Sequence, residues 1–337
     1  MPGMSRKRQG SCNSLRPGTL TWAVAAGANI TGAELRFSQA MEKPMRRFCV
    51  FSSVLLSFTL ASCASTPSTQ PITSSRTVSA LSRATKGAQY IYVSSHDNTL
   101  KMFNAVSGGL EFSINHNLLY GLATNSFGEV YTAGDEPNAV QTYTPKGKNT
   151  KPTILKSYPF ALAVDATGKI YVGTQTGKNG SRGLTTYTAK GKPTTPTIPS
   201  IEVTALAVDA NEKIYALVTT KQDRQEVLTY LSDGSPTTPT ISLGGAEAYG
   251  IAVDSSGKLY VGIAASSNGF GVITFLADGT PTTPTISLPE PVAALALDST
   301  GKIYVADQDS ITTYLPDGTQ TTPTISAPSV PFAIAVH

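Results

Sequence analysis

Most of the chain is a succession of short apolar stretches separated by polar turns. A stretch of small apolar residues, such as Ala161-Leu162-Ala163-Val164, is followed by one of β-branched and aromatic residues, such as Ile170-Tyr171-Val172. A third stretch ends in Tyr or Phe, and a fourth is rich in Thr and Pro. Each has the length of a strand, and no 3.6-residue period runs through 87–337. The pattern therefore predicts an all-β region.

This unit of four stretches repeats along the chain. The segment 161–172 returns at 205–216, 250–261 and 294–305, with a weaker copy at 121–132. Four short strands per forty-odd residues are typical of a β-propeller blade. The prolines of the fourth stretch cannot donate ladder hydrogen bonds, so this stretch is predicted to be the outer edge strand. The first stretch is small because inner strands crowd around the axis.

The two ends of the repeat region complement each other. Tyr90-Ile91-Tyr92-Val93 matches the second stretch of the other units, and no first stretch precedes it. The segment 331–337 matches the first stretch at 159–165. We therefore expect the C-terminal strand to complete the first blade, which would remove two exposed sheet edges and give six blades over 87–337.

The repeated pattern Gly/Ala-Ile/Leu-Ala-Val-Asp-x-x-Gly-x-Ile-Tyr-Val resembles the NHL repeats of six-bladed propellers, over roughly 90–337. The resemblance implies an architecture but no single activity, because that superfamily includes binding modules, lactonases and lyases. Its gluconolactonase-like members use a Glu/Asn/Asp metal set, and their motifs do not map onto this chain residue by residue.

The basic charge of the chain lies in its front segment. Residues 1–63 carry eight Lys/Arg and two Asp/Glu, whereas 64–337 carry eighteen and twenty, so the formal net charge of +4 divides into +6 and −2. A repeat region without cationic excess disfavours nucleic-acid binding. All three cysteines also lie in front, at 12, 49 and 63, which excludes disulfides and thiolate metal sites from the repeats.

The front segment contains the pattern of a targeting signal. Over 45–62, Met45-Arg46-Arg47 precedes a short apolar run, as in a signal peptide, and the run is too short to span a bilayer. Leu60-Ala61-Ser62-Cys63 resembles the bacterial lipobox, which implies cleavage before Cys63 and lipidation of its thiol. Ala64 follows the cysteine, and in the lipoproteins that the sequence resembles this residue favours localisation at the outer membrane or cell surface over the inner membrane.

Two segments flank this predicted targeting signal. Residues 63–86 are dominated by Ser, Thr and Pro, which predicts a flexible, disordered tether between lipid and propeller. Residues 1–44 do not fit a signal peptide that starts at Met1. They are either a product of start-site misassignment, with Met41 or Met45 as the better start, or a genuine disordered extension.

The repeated aspartates are interpreted as structural. Asp165, Asp209, Asp254 and Asp298 each precede a tight turn, where a carboxylate accepts backbone N–H groups. Glycine stands three residues later except in one unit, where Glu212 replaces it. For that turn we expect Asn211 to take the left-handed conformation.

Candidate functional residues lie at the opposite face. Glu202, Glu247 and Glu290 occupy similar slots of three consecutive blades, and three converging carboxylates could hold Ca²⁺ or Mg²⁺. Solvated acids are the alternative interpretation. Loops of unequal length at this face supply the candidate ligand-binding residues, which are His96, Asp97, Asp135, Glu136, Arg182, Asp223, Arg224, Asp307 and Asp309.

No nucleophile elbow, His-Glu-x-x-His pair or phosphate loop is present in the sequence, and no catalytic residue is assigned. The sequence thus favours a lipid-anchored, extracytoplasmic binding or scaffold propeller that engages an envelope protein or a polar ligand. The alternative is a metal-dependent, gluconolactonase-like hydrolase or lyase with its carboxylate site at the channel mouth.

Overall fold

The computed structural model describes residues 87–116, 119–175, 182–327 and 329–337. The predicted extension over 1–44, the signal peptide over 45–62, and Cys63 with the tether to 86 lie outside these residues. Within them, no helix has the length and apolar composition needed to cross a bilayer.

Twenty-four strands form six antiparallel sheets of four strands each. The first blade consists of β24 (Pro331–Val336), β1 (Tyr90–Ser95), β2 (Thr99–Asn104) and β3 (Leu110–Asn115), from the inner to the outer edge. The second consists of β4 (Leu119–Thr124), β5 (Val130–Asp135), β6 (Asn138–Tyr143) and β7 (Asn149–Leu155). The third consists of β8 (Pro159–Val164), β9 (Ile170–Thr174), β10 (Gly183–Tyr187) and β11 (Pro193–Pro199).

The remaining three blades follow the same order. The fourth consists of β12 (Glu202–Val208), β13 (Ile214–Thr219), β14 (Gln225–Tyr230) and β15 (Pro236–Ser242). The fifth consists of β16 (Glu247–Val253), β17 (Leu259–Ala265), β18 (Phe270–Phe275) and β19 (Pro281–Leu288). The sixth consists of β20 (Ala294–Leu297), β21 (Ile303–Ala306), β22 (Ser310–Tyr314) and β23 (Gln320–Ser326).

The ring closes as the sequence predicts. Strand β24 pairs with β1 from Ile91↔Val336 to Ser95↔Pro331, so the C-terminal strand is the inner strand of the first blade. Each inner strand contacts the inner strand of the next blade, and β20 contacts β24. The all-β, six-bladed propeller is therefore confirmed for the described residues.

The turns that carry the repeated aspartates organise each blade. In the third blade, one oxygen of Asp165 accepts hydrogen bonds from the backbone N–H groups of Thr167 and Lys169, at 2.8 and 3.0 Å. The other oxygen accepts from the hydroxyl of Tyr171, a fully buried residue of β9, at 3.1 Å. Asp254 and Asp298 repeat all of these bonds, which confirms the structural interpretation.

The expectation for the unusual turn is wrong. Glu212 itself takes the left-handed conformation, at φ 59°, in the position that other blades fill with glycine. Its backbone N–H donates to the carbonyl of Asp209, as the glycines do in their turns. The carboxylate of Glu212 also binds Lys169 of the preceding blade at 2.6 Å, so the side chain joins two blades while its backbone completes the turn.

The crowding predicted for inner strands is present. A Cβ atom added to Gly121 on β4 would lie 2.5 Å from the carbonyl oxygen of Phe160 on β8. At Gly250 on β16 it would lie 2.8 Å from the backbone nitrogen of Leu295 on β20. Backbone cannot move aside as a side chain can, so only very small residues fit there.

A second set of contacts joins the blades at the outer edge. In five blades, a proline in the middle of the outer strand packs against the glycine that turns the third strand into the fourth in the next blade, and in the first blade Phe112 takes the place of the proline, against Gly147. A Cβ atom at Gly191 would lie 2.6 Å from Pro152, and one at Gly234 would lie 2.7 Å from Pro196. The prolines lie on edge strands, as predicted.

The outer-edge contact can be tested with two glycines of nearly equal conformation. Gly234 has φ 88° and touches Pro196, whereas Gly245 has φ 91° and has no atom within 4 Å of its added Cβ. We expect Gly234→Ala to lower the free energy of unfolding by about 1–3 kcal/mol more than Gly245→Ala, because overpacking adds to the backbone cost that both share. Denaturant unfolding measures the difference, and equal losses would contradict this packing role.

Candidate functional site

The channel of the propeller opens at two unlike ends. The end that carries the aspartate turns is here called the turn face. At the other end, here called the mouth face, the loops between second and third strands meet the loops that lead into the inner strands. A cavity of about 240 Å³ runs between the inner strands of all six blades. Its wall consists mainly of Ala, Gly, Leu, Ile and Val.

One position of each inner strand sets the character of the mouth. In most blades it is the extra residue of a β-bulge; the pairing skips Tyr120 between Leu119 and Gly121, and it skips Thr204 between Val203 and Ala205. Bulges re-aim a side chain and are common beside binding sites. We call the six equivalent residues the inner mouth ring: Phe332, Tyr120, Phe160, Thr204, Tyr249 and Ala293.

Aromatic side chains of the first three blades form one continuous wall. Tyr120 is stacked on Phe160, with ring centroids 5.1 Å apart, and meets Phe332 edge-on at 5.7 Å. His96 is stacked on Phe332 at 3.7 Å. Across the mouth, Tyr249 is flanked by the equivalent small residues of the fourth and sixth blades, so the ring is aromatic on one half and open beside Tyr249.

A second ring surrounds the first. It consists of the residues that end or follow the second strand in equivalent register, and we call it the outer mouth ring: His96, Asp135, Gln175, Thr219, Ala264 and Gln308. Only four buried side-chain polar atoms of the described residues have no hydrogen-bond partner. Three of them belong to this ring, namely Asp135 Oδ1, Gln175 Oε1 and Gln308 Nε2.

Unpartnered buried polar atoms are costly. Each costs about 1–3 kcal/mol, so folded proteins pair nearly all of them with protein, water or ligand. Three of the four such atoms in the described residues lie in this one ring at the mouth face. The ring thus supplies hydrogen-bonding capacity that the fold itself does not use.

Burial shifts the pKa values of the titratable groups at the mouth. Burial raises the pKa of Asp135, while the Tyr120 hydroxyl, which donates to its Oδ2 at 3.1 Å, acts in the opposite direction. Burial, with the neighbouring Asp135 charge, raises the pKa of Tyr120. Burial lowers the pKa of His96, because it disfavours the charged ring.

Two of the nine predicted ligand-binding residues, His96 and Asp135, belong to the outer mouth ring. The carboxylate of Asp97 accepts hydrogen bonds from Thr99 and Lys101. The carboxylate of Asp307 accepts hydrogen bonds from the backbone N–H groups of Asp309 and Ser310 within its own turn. The other predicted residues are exposed or paired in the loops: Glu136, Arg182, Asp223, Arg224 and Asp309.

The three predicted metal-binding glutamates are not brought together. Glu202 pairs with Arg182 at 2.8 Å, and Glu247 is an exposed first residue of β16. Glu290 lies one position earlier in its blade than the other two. Over the described ranges, no three His, Cys, Asp or Glu side chains converge closely enough to hold a metal ion.

The residues that sequence reasoning missed are the aromatic ones and the two glutamines. Their signal was available in the repeat alignment. The position before the small inner-strand residue is Phe, Tyr, Phe, Thr, Tyr and Ala around the ring, whereas the next residues hardly change. A variable position directly before a nearly constant run indicates a surface that the fold does not constrain.

Comparisons with known proteins identify the architecture. No protein-family model and no curated protein matches the chain. A solved protein of unknown function from Bacteroides caccae is similar, with a TM-score of 0.57 and 11% identity over 74% of this chain and 98% of that one. A chain of the nidogen/laminin complex has a TM-score of 0.58 and 13% identity, over 73% and 97%. Apo AztD from Citrobacter koseri has a TM-score of 0.48 and 11% identity, over 75% and 98%. At these identities the first two likenesses show the fold alone.

The hydrogen bond between Tyr120 and Asp135 gives a test of the mouth geometry. We expect Tyr120→Phe to raise the pKa of Asp135, because the ring stays stacked while the carboxylate loses its donor. The pH dependence of the Asp135 carboxyl carbon in NMR measures this shift. Tyr249→Phe on the other side of the ring is the control and should leave Asp135 unchanged. An unaltered Asp135 in Tyr120→Phe would contradict the described contact.

Proposed function

We propose that this protein is an extracytoplasmic binding propeller, held at a membrane by a lipid on Cys63, that engages a polar ligand or a partner protein through its mouth face. The observation that carries the proposal is the aromatic wall of Phe332, Tyr120 and Phe160, which borders a cavity of about 240 Å³ between the inner strands of all six blades. The cavity would accept part of an interaction partner, and the aromatic rings would pack against it.

The repeats are proposed to be of the NHL type. The Asp-x-x-Gly-Lys-Ile-Tyr pattern supports this assignment, because each of its chemical features has a defined role in a blade. The aspartate closes the turn, and the tyrosine fills the blade and binds back to that aspartate. This assignment concerns architecture and carries no activity with it.

The position of the first described residues supports an anchor on the side away from the mouth. The backbone N–H of Ala88 donates to Asp298 at 3.1 Å, and Gln89 donates to the carbonyl of His337, both at the turn face. We propose that the segment between Cys63 and the propeller joins it at the turn face, so that the anchor is attached on the side away from the mouth.

The anchor can be tested at its cysteine. We expect Cys63→Ser, expressed in a bacterial host that processes lipoproteins, to lose incorporation of radiolabelled palmitate and to move from the membrane fraction to the soluble fraction. Cys49→Ser lies within the predicted signal segment and is the matched control, which should retain the label. Equal labelling of Cys63→Ser and the parent protein would refute lipidation at this residue.

The binding role can be tested by closing the gap in the inner mouth ring. Thr204→Phe gives the fourth blade the residue that the third blade has at the same position. We expect compounds or peptides that raise the Tm of the parent protein in a thermal-shift screen to lose at least about tenfold in affinity with Thr204→Phe, because the added ring occupies the mouth. Thr197→Phe, on the exposed edge strand β11, should bind them as the parent does. Hits that are indifferent to Thr204→Phe would place binding elsewhere.

A further inference from the structure

One turn of the propeller changes its charge from one part of the ring to another. The turn between the third and fourth strands reads Lys-Gly-Lys over 146–148 in the second blade and over 190–192 in the third. In the fourth, fifth and sixth blades the position of the first lysine holds Asp233, Asp278 and Asp317. The same position of the same turn is thus cationic in two neighbouring blades and anionic in the next three.

The turn does not need these lysine side chains. In the fourth blade the carboxylate of Asp233 accepts a hydrogen bond from the backbone N–H of Ser235 at 2.8 Å. In the second blade the equivalent N–H, that of Lys148, donates instead to the hydroxyl of Thr144 at 3.2 Å, and the third blade repeats this bond. Because the threonine satisfies the turn, the lysine side chains have no part in closing it.

The two lysine turns lie on one continuous surface. A Cβ atom added to Gly191, inside the turn of the third blade, would lie 2.6 Å from Pro152 on β7 of the second blade. Lys151, an exposed residue, directly precedes that proline. We call this surface the lysine patch, and its members are all exposed: Lys146, Lys148, Lys151, Lys190 and Lys192. Over the described residues, none of the five forms an ion pair.

The acidic residues in this part of the ring already have partners. The carboxylate of Glu129 accepts hydrogen bonds from the side chains of Asn125 and Tyr131, at 2.8 and 3.2 Å. Asp165 is bonded within its own turn, and Glu212 is paired with Lys169 at 2.6 Å. The charge of the lysine patch is therefore not balanced by these carboxylates and is available to an external anion.

An exposed phenylalanine lies beside the lysine patch. Phe127, in the turn between β4 and β5, is 81% exposed. Its turn contacts the turn that contains Lys146, because a Cβ atom added to Gly128 would lie 3.0 Å from Pro145. One exposed apolar residue needs no explanation by itself. An aromatic ring next to several lysines, however, is the composition of surfaces that lie in the head-group region of a bilayer.

The chain enters the propeller next to this phenylalanine. The Cβ atom added to Gly128 would also lie 2.7 Å from the ring of His337, whose carbonyl accepts the backbone N–H of Gln89. The segment 64–86, which would connect a lipid on Cys63 to this point, contains three basic residues and no acidic ones. A bilayer that holds the lipid would thus be tethered to the side of the turn face that carries the exposed ring.

We propose that the lysine patch and Phe127 form a membrane-docking surface, which binds the phosphate groups of anionic phospholipids in the bilayer that holds the lipid anchor. This inference rests on the proposed anchor at Cys63. Residues 87–337 carry fifteen Lys/Arg and twenty Asp/Glu, so an anionic bilayer attracts the lysine patch and repels much of the remaining surface. The propeller would therefore rest on its second and third blades, and the mouth face would stay accessible.

Vesicle co-sedimentation of the full chain with Cys63→Ser separates docking from lipidation. We expect partitioning into vesicles of equimolar phosphatidylglycerol and phosphatidylcholine to exceed that into phosphatidylcholine alone by about tenfold or more, and to fall with added salt. Lys146→Asp with Lys190→Asp gives both turns the residue of the fourth blade and should remove most of this preference. Lys221→Asp with Arg224→Asp changes the charge equally at the mouth face and should retain the preference. The front segment is the same in every variant, so its own affinity for vesicles cancels in the comparison.

The aromatic ring has its own test in the same assay. Phe127→Ser should weaken partitioning into the anionic vesicles several-fold while leaving its salt dependence unchanged, because the ring contributes apolar burial and no charge. A loss of salt dependence in Phe127→Ser would overturn the role assigned to the ring.

The remaining results decide the docking surface. Equal partitioning of the parent and Lys146→Asp with Lys190→Asp would overturn it. An equal loss in Lys221→Asp with Arg224→Asp would also overturn it, since net charge and not the lysine patch would then control binding. Binding to soluble polyphosphate without binding to the anionic vesicles would assign the lysine patch to a different partner. Failure of the anchor itself is seen separately, as a parent protein that takes up no palmitate.

Discussion

The fold depends on one repeated interaction, in which a carboxylate at the end of an inner strand satisfies both a turn and a tyrosine. Asp165 shows its logic: one oxygen binds the two backbone N–H groups of the turn, and the other binds the hydroxyl of Tyr171 in the next strand. The interaction therefore joins the turn between the first two strands to the tyrosine that is buried inside the blade. Burial and the nearby carboxylate raise the pKa of the tyrosine, so the phenol remains a donor at any physiological pH.

The interaction is not identical in every blade; in the fourth blade Asp209 closes its turn while the Tyr215 hydroxyl has no partner. The second blade uses Asn125, whose side-chain oxygen accepts from Phe127 and Glu129 while its amide donates to Glu129. The first blade has His337 in the slot, and the Tyr92 hydroxyl turns to the carbonyl of Pro145 at 3.4 Å. Because turns and inner strands are so constrained, sequence freedom is left at the mouth face. The residues that maintain the fold and those that form the candidate site therefore lie in different parts of each repeat, and the site lies where the repeats differ.

The same division explains how much could be predicted from sequence. Six blades, closure by 331–337, outer prolines and structural aspartates all follow from periodicity, because a repeated fold must repeat its packing. The left-handed Glu212 was missed, because asparagine takes that conformation more readily than glutamate and the sequence favoured Asn211 for it. The site was found only in part. His96 and Asp135 were named because they are titratable loop residues, whereas Tyr249 and Gln308 carry no charge and stand out only when the repeats are aligned position by position.

The mouth also shows why acidic residues at equivalent positions did not form a metal site. Carboxylates bind a cation together only when they converge, and among the described residues no three His, Cys, Asp or Glu side chains do so. Glu202 meets Arg182 within its own face, and Asp135 meets Tyr120 within its own blade. Glu202 and Asp135 are thus each matched within their own surroundings, and neither is left to share a metal ion with the other.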